Sequence, residues 1–342
     1  MDKETLDAPL LQRFQNSLAR QKAGLLDWFQ KTPADKKRIH LGPASEESAR
    51  AHLGVLEDSL ARTEDKTIGR CTVCHECVDP GHLEIDYTTS VCIDHYSPEE
   101  KRQLELDLEL SQKLQKALLP QKLPKIPNLQ IAAFTQPAKI VGGDYFDFFR
   151  FADGSHGIAI ADVMGKGMPA SMLMASLQAS LRLIGPESLT PVEVVSRLNR
   201  LFCHNINLTR FVTLFLAQFK PESRSLLYAN AGHNPALLCR SGAVEWLRPT
   251  GAAIGLIEGA EYETRSVRLD PGDVLVLYTD GLTEALNEAD EEFGTERLAE
   301  HVRSLAPLPA SDHLKRLREG VRKFTGNRAF TDDLTLLIVK HS

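Results

Sequence analysis

Aromatic residues make up only 6% of this 342-residue chain, and no apolar run approaches the ~18 residues that a membrane-spanning helix needs. The longest apolar stretches are Phe211–Phe219 and Val274–Tyr278, so no transmembrane segment and no membrane partner are expected. An excess of basic charge is also missing, with 40 Lys and Arg against 46 Asp and Glu for a net charge of −6. Without long Lys/Arg runs, a general nucleic-acid-coating role is excluded. The opening MDKETLDAPLLQRFQ lacks a basic region followed by an apolar stretch, so no secretory signal is expected and the chain is placed in the cytoplasm. What is present, 42% hydrophobic and 25% charged residues, is an ordinary composition for two or three domains with a sizeable core.

The cysteines are unevenly spread. Cys71, Cys74, Cys77 and Cys92 crowd into one short segment, whereas Cys203 and Cys239 stand alone in apolar surroundings and read as buried small hydrophobes. In a chain without an export signal, such crowding points to metal ligation before disulfides. Cys71-x-x-Cys74 followed by Cys92-x-x-His95 has zinc-ribbon spacing, and a structural tetrahedral site takes four N or S ligands. Cys77, His75 and His82 lie near enough to compete with His95 for the fourth position.

Apolar residues at three- and four-residue spacings over 4–31 (Leu6, Leu10, Phe14, Leu18, Leu25, Phe29) predict an amphipathic helix that ends near Thr32-Pro33. A second begins near Ser45 with Leu53, Leu56 and Leu60 on one face, so the two form a helical hairpin. Ser97-Pro98-Glu99-Glu100 opens a further helix, with Ser97 as N-cap. Its leucines at 104, 106, 108, 110, 114 and 118 form a stripe that calls for a cover, either a neighbouring domain or a second copy of the same helix. Beyond Pro120, Pro124 and Pro127 the pattern becomes strand-like: Leu129–Phe134, Gly157–Asp162, Phe211–Phe219, Ser225–Asn230, Ala236–Cys239, Tyr262–Leu269, Asp273–Thr279 and Leu334–Val339. Helices are predicted over Met168–Ile184 and Thr190–Asn205. Grouped strands with inserted helices indicate an α+β sandwich. The expected domains are a helical hairpin (1–66), a zinc finger (67–97), a linker helix (98–119) and a catalytic domain (120–342).

Four aspartate motifs recur at the ends of apolar strands: Gly142-Gly143-Asp144, Asp162-Val163-Met164-Gly165, Asp280-Gly281 and Asp332-Asp333. Each alone reads as a turn; together they describe an oxygen-rich site for Mg²⁺ or Mn²⁺. Two such ions ~3.5–4 Å apart activate water for in-line displacement at phosphorus. In order and spacing, VGGDYFDF, IADVMGKGMPA, YANAGHNPALL, LYTDGLTEALN, EEFGTERL and TDDLTLLIV resemble the SpoIIE/RsbU-type branch of the metal-dependent (type 2C, PPM) protein serine/threonine phosphatases. The resemblance implies an αββα sandwich of two antiparallel sheets flanked by helices, with two Mn²⁺ or Mg²⁺ ions between the sheets. Carried over by position, Asp162 bridges the ions, Asp144 and Asp280 are further ligands, the Val163 carbonyl contributes, and Asp332 or its neighbour Asp333 is the last ligand. It also implies attack by a metal-bound hydroxide on phosphoserine or phosphothreonine, with a phosphorylated anti-sigma-factor antagonist of a partner-switching pathway as substrate. His233 departs from the acidic residue of distant relatives, and Gly232–Pro235 reads as a tight turn. Asp147 reads as a supporting group. Lys166 reads as a solvated loop lysine or a phosphate binder. The G-x-G-x-x-A pattern from Gly165 lacks the βαβ context of a dinucleotide fingerprint.

The segment around the cysteines resembles a DksA/TraR-type zinc finger behind a helical hairpin, with His95 in place of the usual fourth cysteine and one structural Zn²⁺ implied. In that family the hairpin enters RNA polymerase by an acidic tip. The tip here, around Ala34–Gly42, is basic, which disfavours that partner. The expectation is a phosphatase regulated by its N-terminal zinc module and able to dimerise through the linker helix. The alternative is a transcription-associated zinc-hairpin protein that uses the phosphatase domain as a scaffold.

Overall fold

The structure, a computed structural model, describes residues 8–31, 46–65, 67–78, 89–205, 211–305, 308–326 and 328–342. The basic tip around 34–42 and His82 lie outside them. The chain divides into two compact units, 1–106 and 107–342.

In the first unit, helices α1 (Ala8–Lys31) and α2 (Glu46–Glu64) pack on each other. Phe14 and Leu18, one turn apart on α1, are buried with Leu56 of α2 and with Ile68, Cys71 and Val78 beyond it. The hydroxyls of Ser59 and Thr63, buried on α2, bond back to the carbonyls of Val55 and Leu60 at 2.8 and 2.6 Å. Helix α3 (Pro98–Leu118) starts with a reciprocal cap: the Glu100 amide donates to Ser97 Oγ at 3.2 Å, and the Ser97 amide donates to Glu100 Oε2 at 2.8 Å. The division between the units falls inside this helix. None of its residues is buried, and Leu106, Leu110 and Leu114 are more than half exposed.

The second unit is built on two five-stranded sheets, antiparallel throughout. One runs β1 (Leu129–Gln136), β10 (Leu334–His341), β9 (Val274–Tyr278), β6 (Ala236–Arg240), β7 (Ala243–Leu247). The other runs β2 (Tyr145–Arg150), β3 (His156–Val163), β4 (Val212–Lys220), β5 (Ser225–Ala231), β8 (Arg265–Arg268). Between the sheets Ile158, Ile160, Phe215 and Phe219 meet Leu238, Leu275, Leu277 and Leu337. The alternate residues of β3, Ala159 and Ala161, face outward beneath α4 (Met168–Ile184) and α5 (Pro191–Asn205), which contribute Met174, Leu177, Leu181, Val194 and Leu198. Small residues there let the helices sit close to the sheet. After the one-turn helix α6 (Asp280–Thr283), α7 (Gly294–Leu305) and α8 (Ala310–Thr325) cover the other sheet with Leu298, Val302, Leu317 and Val321. The layers are helix, sheet, sheet, helix, as expected.

Four elements are additions to the sequence-based reading. Strand β2 hides in an aromatic run interrupted by Asp147 and without period-two alternation, and β7 is short and follows the Gly242 turn. Helices α7 and α8 are so rich in charge that their apolar faces (Leu298, Val302; His313, Leu317, Val321) are visible only at the helical period. The strand expected over 262–269 shortens to Arg265–Arg268. Cys239 is buried as anticipated, whereas Cys203 is only half-buried.

Asp147, fully buried on β2, accepts bonds from Tyr145 Oη, from the Phe148 amide at 2.7 Å and from Arg182 Nη2 of α4 at 2.6 Å. It joins a sheet to its covering helix and takes no place among the aspartates at the strand ends. Arg182→Ala leaves this carboxylate short of its cation and should cost about 2–3 kcal/mol in urea unfolding, while Arg182→Ala combined with Asp147→Asn should cost less.

Candidate active site

The aspartates arrive on neighbouring strand ends, two from one sheet and three from the other. Asp144 stands just before β2 and Asp162 near the end of β3, whose register pairs Tyr145 with Ala161. Asp280 stands just past β9 and Asp332 and Asp333 just before β10, where Tyr278 pairs with Leu336. Antiparallel pairing sets each group at one edge of its sheet, and the bonds Thr279–Asp144 and Gly143–Asp333, 135 and 190 positions apart, join the two groups across the sandwich.

Close backbone approach is what the neighbouring glycines permit. A Cβ on Gly142 would lie 2.2 Å from Asp333 Oδ2, one on Gly143 2.8 Å from the Val163 carbonyl, and one on Gly281 2.1 Å from the Asp333 carbonyl. The Gly143 amide donates to Asp333 Oδ2 at 2.6 Å and the Ala138 amide to Asp333 Oδ1 at 2.7 Å. Both oxygens of Asp333 are thus engaged by main chain. Asp332 accepts the Asp333 amide on Oδ1 at 2.9 Å and pairs through Oδ2 with Lys166 Nζ at 2.7 Å. Lys166 also donates to the Thr331 carbonyl at 2.7 Å, so this exposed loop lysine is held against Asp332.

Thr279 was not anticipated by the motif reading. Its hydroxyl donates to Asp144 Oδ2 at 2.7 Å and accepts from the Thr335 amide at 3.0 Å, tying the two sheets together across the cleft. The signal was present in the sequence, as a hydroxyl residue at the strand end immediately before Asp280-Gly281. His233 donates through its amide to Asn230 Oδ1 at 2.8 Å, and its Nδ1 bonds Thr213 Oγ1 at 2.8 Å. Gly232 has φ of +64° and a Cβ there would meet the Ala253 amide at 2.9 Å, so the segment is a tight turn. Burial pushes the His233 imidazole down to about 4, which keeps it neutral.

The electrostatics are those of a site short of positive charge. Burial and the neighbouring Asp280, Asp332 and Asp333 push Asp162 up to about 7, with Lys166 only partly offsetting them. Burial and Asp162 hold Asp144 well above the usual carboxylate range. Asp280 is raised by burial and Asp332, and Asp333 is raised by burial against the pull of its amide donors. Like-charged carboxylates over a glycine-lined cradle are the donor set of a hard divalent cation, and Mg²⁺ or Mn²⁺ fits them.

In the first unit, Sγ of Cys71, Cys74 and Cys92 and a ring nitrogen of His95 lie within 4.8 Å of one another, the only such grouping among the described residues. The aspartates are spread more widely than this. Cys77 is exposed and outside the thiol cluster. The Cys71 sulfur accepts the amides of Val73 and Cys92, each at 3.4 Å, and Cys74 Sγ lies 3.6 Å from Cys92 Sγ. Burial raises the Cys71 thiol, but the amides of Cys74, Cys92 and Val73 outweigh it and bring the group to about 6. Three sulfurs and one imidazole at this spacing fit zinc.

Residues 152–342 match the family described as Stage II sporulation protein E (SpoIIE). The chain is 31% identical over 190 residues to phosphoserine phosphatase RsbU of Bacillus subtilis, covering 55% of this chain and 56% of that one. It is 29% identical to phosphoserine phosphatase RsbP of the same organism over 52% of this chain and 45% of the relative. The chain thus spans about half the length of the curated relatives it matches. Among solved structures, the SiaA-PP2C domain of Pseudomonas aeruginosa shares the fold with a TM-score of 0.64 at 22% identity, over 71% of this chain and 99% of that one. The RsbU and RsbW domains of a Mycobacterium tuberculosis protein align with a TM-score of 0.55 at 28% identity, over 64% of this chain and 61% of theirs.

A raised Asp162 means the folded chain holds a proton that the unfolded chain has released between about pH 4 and 7. Its ionisation therefore destabilises the metal-free fold fully above pH 7, and the penalty fades as pH falls toward 4. In chelator, Asp162→Asn should be more stable than the native chain by an amount on the order of 2–4 kcal/mol at pH 8, and the difference should shrink on acidification. Urea unfolding across pH measures it.

Proposed function

Because the chain belongs to the SpoIIE family, we propose that it is a metal-dependent protein-serine/threonine phosphatase whose second unit hydrolyses phosphoserine or phosphothreonine. The observation that carries this reading is the gathering of Asp144, Asp162, Asp280 and Asp332 at one end of the sandwich, with mutual repulsion that a divalent cation relieves. Asp162, beside both Asp144 and Asp280, is the ligand we assign to both ions, with Asp144, Asp280, Asp332 and the Val163 carbonyl completing the set. Asp144 precedes the family match, and its place rests on the Thr279 bond and on its coupling to Asp162. Asp333, with both oxygens on main-chain amides, orders the 138–144 loop, which favours Asp332 as the ligand. Bound Mg²⁺ or Mn²⁺ supplies an activated water and neutralises charge on the phosphoryl group. The chain's own residues hold the carboxylates apart: Thr279 orients Asp144, Lys166 fixes Asp332, and the glycines keep the cradle open.

The substrate we favour is a phosphorylated anti-sigma-factor antagonist of a partner-switching pathway, in the cytoplasm. The similarity to RsbU and RsbP supports this. Among the described residues no helix is long and apolar enough to cross a membrane. In the first unit we assign one structural Zn²⁺ to Cys71, Cys74, Cys92 and His95, in a regulatory module of residues 1–97 like the DksA/TraR hairpin and finger, followed by the linker helix and the phosphatase domain from 120. The same linker reaches the catalytic loop: Gln115 Nε2 donates to the Gly142 carbonyl at 2.6 Å, and the Gly142 amide donates to Gln115 Oε1 at 3.0 Å. A change in α3 thereby reaches Gly143 and Asp144. The exposed leucines at 106, 110 and 114 support a homodimer through this helix. The basic segment at 34–42 continues to disfavour RNA polymerase as a partner.

Phosphate release from a phosphoserine protein in Mn²⁺ should fall at least 100-fold in Asp162→Asn, with the fold retained by circular dichroism. Equal turnover by both proteins would sink the two-metal reading. Metal analysis of the chain should give one zinc, and Cys71→Ser none. Leu108→Pro should uncouple regulation, seen as a changed oligomeric state or changed activity of the full chain.

A further inference from the structure

Away from the cleft's carboxylates, α8 presents a stripe of side chains at helical spacing, Lys315, Arg318, Glu319 and Arg322, over the edge strand β1. With Phe134 and Phe330 they line an open groove of about 680 Å³. Its charge is opposite to that of the chain as a whole, which carries −6. Among the described residues, Lys315, Arg318 and Arg322 have no carboxylate partner, and Glu319 is the one acid in the wall. Arg318 is held in place regardless, its guanidinium carbon 3.4 Å from the Phe134 ring centroid. Arg328 at the far end is already tied to Asp290 at 2.6 Å and to the Asn287 carbonyl at 2.8 Å.

Three residues of the groove's lining lie within two positions of residues that build the carboxylate cleft. Gln136 lines the groove and leads directly into Ala138, whose amide holds Asp333; Phe330 and Leu334 line it on either side of Asp332 and Asp333. Partnerless cations, one of them pinned on an aromatic ring, adjoin a site that handles a phosphorylated side chain. An acidic protein approaching a chain of net negative charge is repelled unless its carboxylates meet local positive charge. We propose that this groove seats an acidic segment of the phosphoprotein substrate, next to the residue being dephosphorylated. The proposal rests on the phosphatase reading and adds the substrate's class: a phosphoprotein with carboxylates close to its phosphoserine.

Two fluorescent peptides serve as probes, identical except that one carries a run of glutamates where the other carries glutamines, and binding to the full chain is read by anisotropy. The glutamate peptide should bind about tenfold more tightly, with an advantage that falls as salt rises. Lys315→Glu with Arg322→Glu should abolish the advantage. Arg316→Glu with Lys323→Glu, the same charge change on exposed positions of α8 outside the groove, should leave most of it. Equal binding of the two peptides, or equal loss in both double variants, overturns the proposal. Hydrolysis of the phosphoserine forms and of p-nitrophenyl phosphate in Mn²⁺ reports separately. The groove variant should raise KM for the acidic phosphopeptide several-fold while sparing p-nitrophenyl phosphate. Loss of all hydrolysis by the native chain would fault the phosphatase reading and leave the anisotropy result to decide the groove.

Discussion

Mutual repulsion among carboxylates that the fold forces together is the constraint on which the second unit is organised. Asp144, Asp162, Asp280, Asp332 and Asp333 come from four strand ends in two sheets, and left alone they would drive those ends apart. What resists is covalent and hydrogen-bonded: ten strands in register, the Thr279 hydroxyl bridging to Asp144, and two main-chain amides on Asp333. A divalent cation bound among these carboxylates would restore the stability given up here, which would link folding and metal affinity through the same side chains.

Backbone proximity is the second theme. Gly142, Gly143 and Gly281 stand where any side chain would collide with Asp333 or Val163, so the motif's glycines serve approach more than turning. Because the Gly142 peptide is also held by Gln115, the loop that carries Asp144 is gripped on one side by Asp333 and on the other by the linker helix. That arrangement gives a helix outside the sheets leverage on the carboxylate of Asp144 inside the cleft.

Much of this was legible from the residues. Apolar runs of strand length located β3, β4, β9 and β10, and the aspartates expected to act together at strand ends are those the fold brings to one end of the sandwich. The cap at Ser97 and Glu100 was equally plain. The rest was hidden for physical reasons. Strand β2 is buried on both faces over its first half, with Asp147 set among the aromatics, so no alternation marks it, while α8 is dominated by the charges that make its groove. Hydroxyl bridges such as Thr279 to Asp144, and the pairing of Lys166 with Asp332, depend on contacts across more than 130 residues, which no local pattern encodes.

Strand β10 sits between β1 and β9, yet it follows every other strand in the chain. During synthesis, β1 and β9 emerge without the strand that joins them, and Asp332 and Asp333 follow Asp144, Asp162 and Asp280. The first sheet must therefore close after translation of nearly the whole unit, through contacts of high sequence separation that form slowly. Until β10 pairs, the aspartates at the ends of β2, β3 and β9 stand without the two carboxylates that precede it.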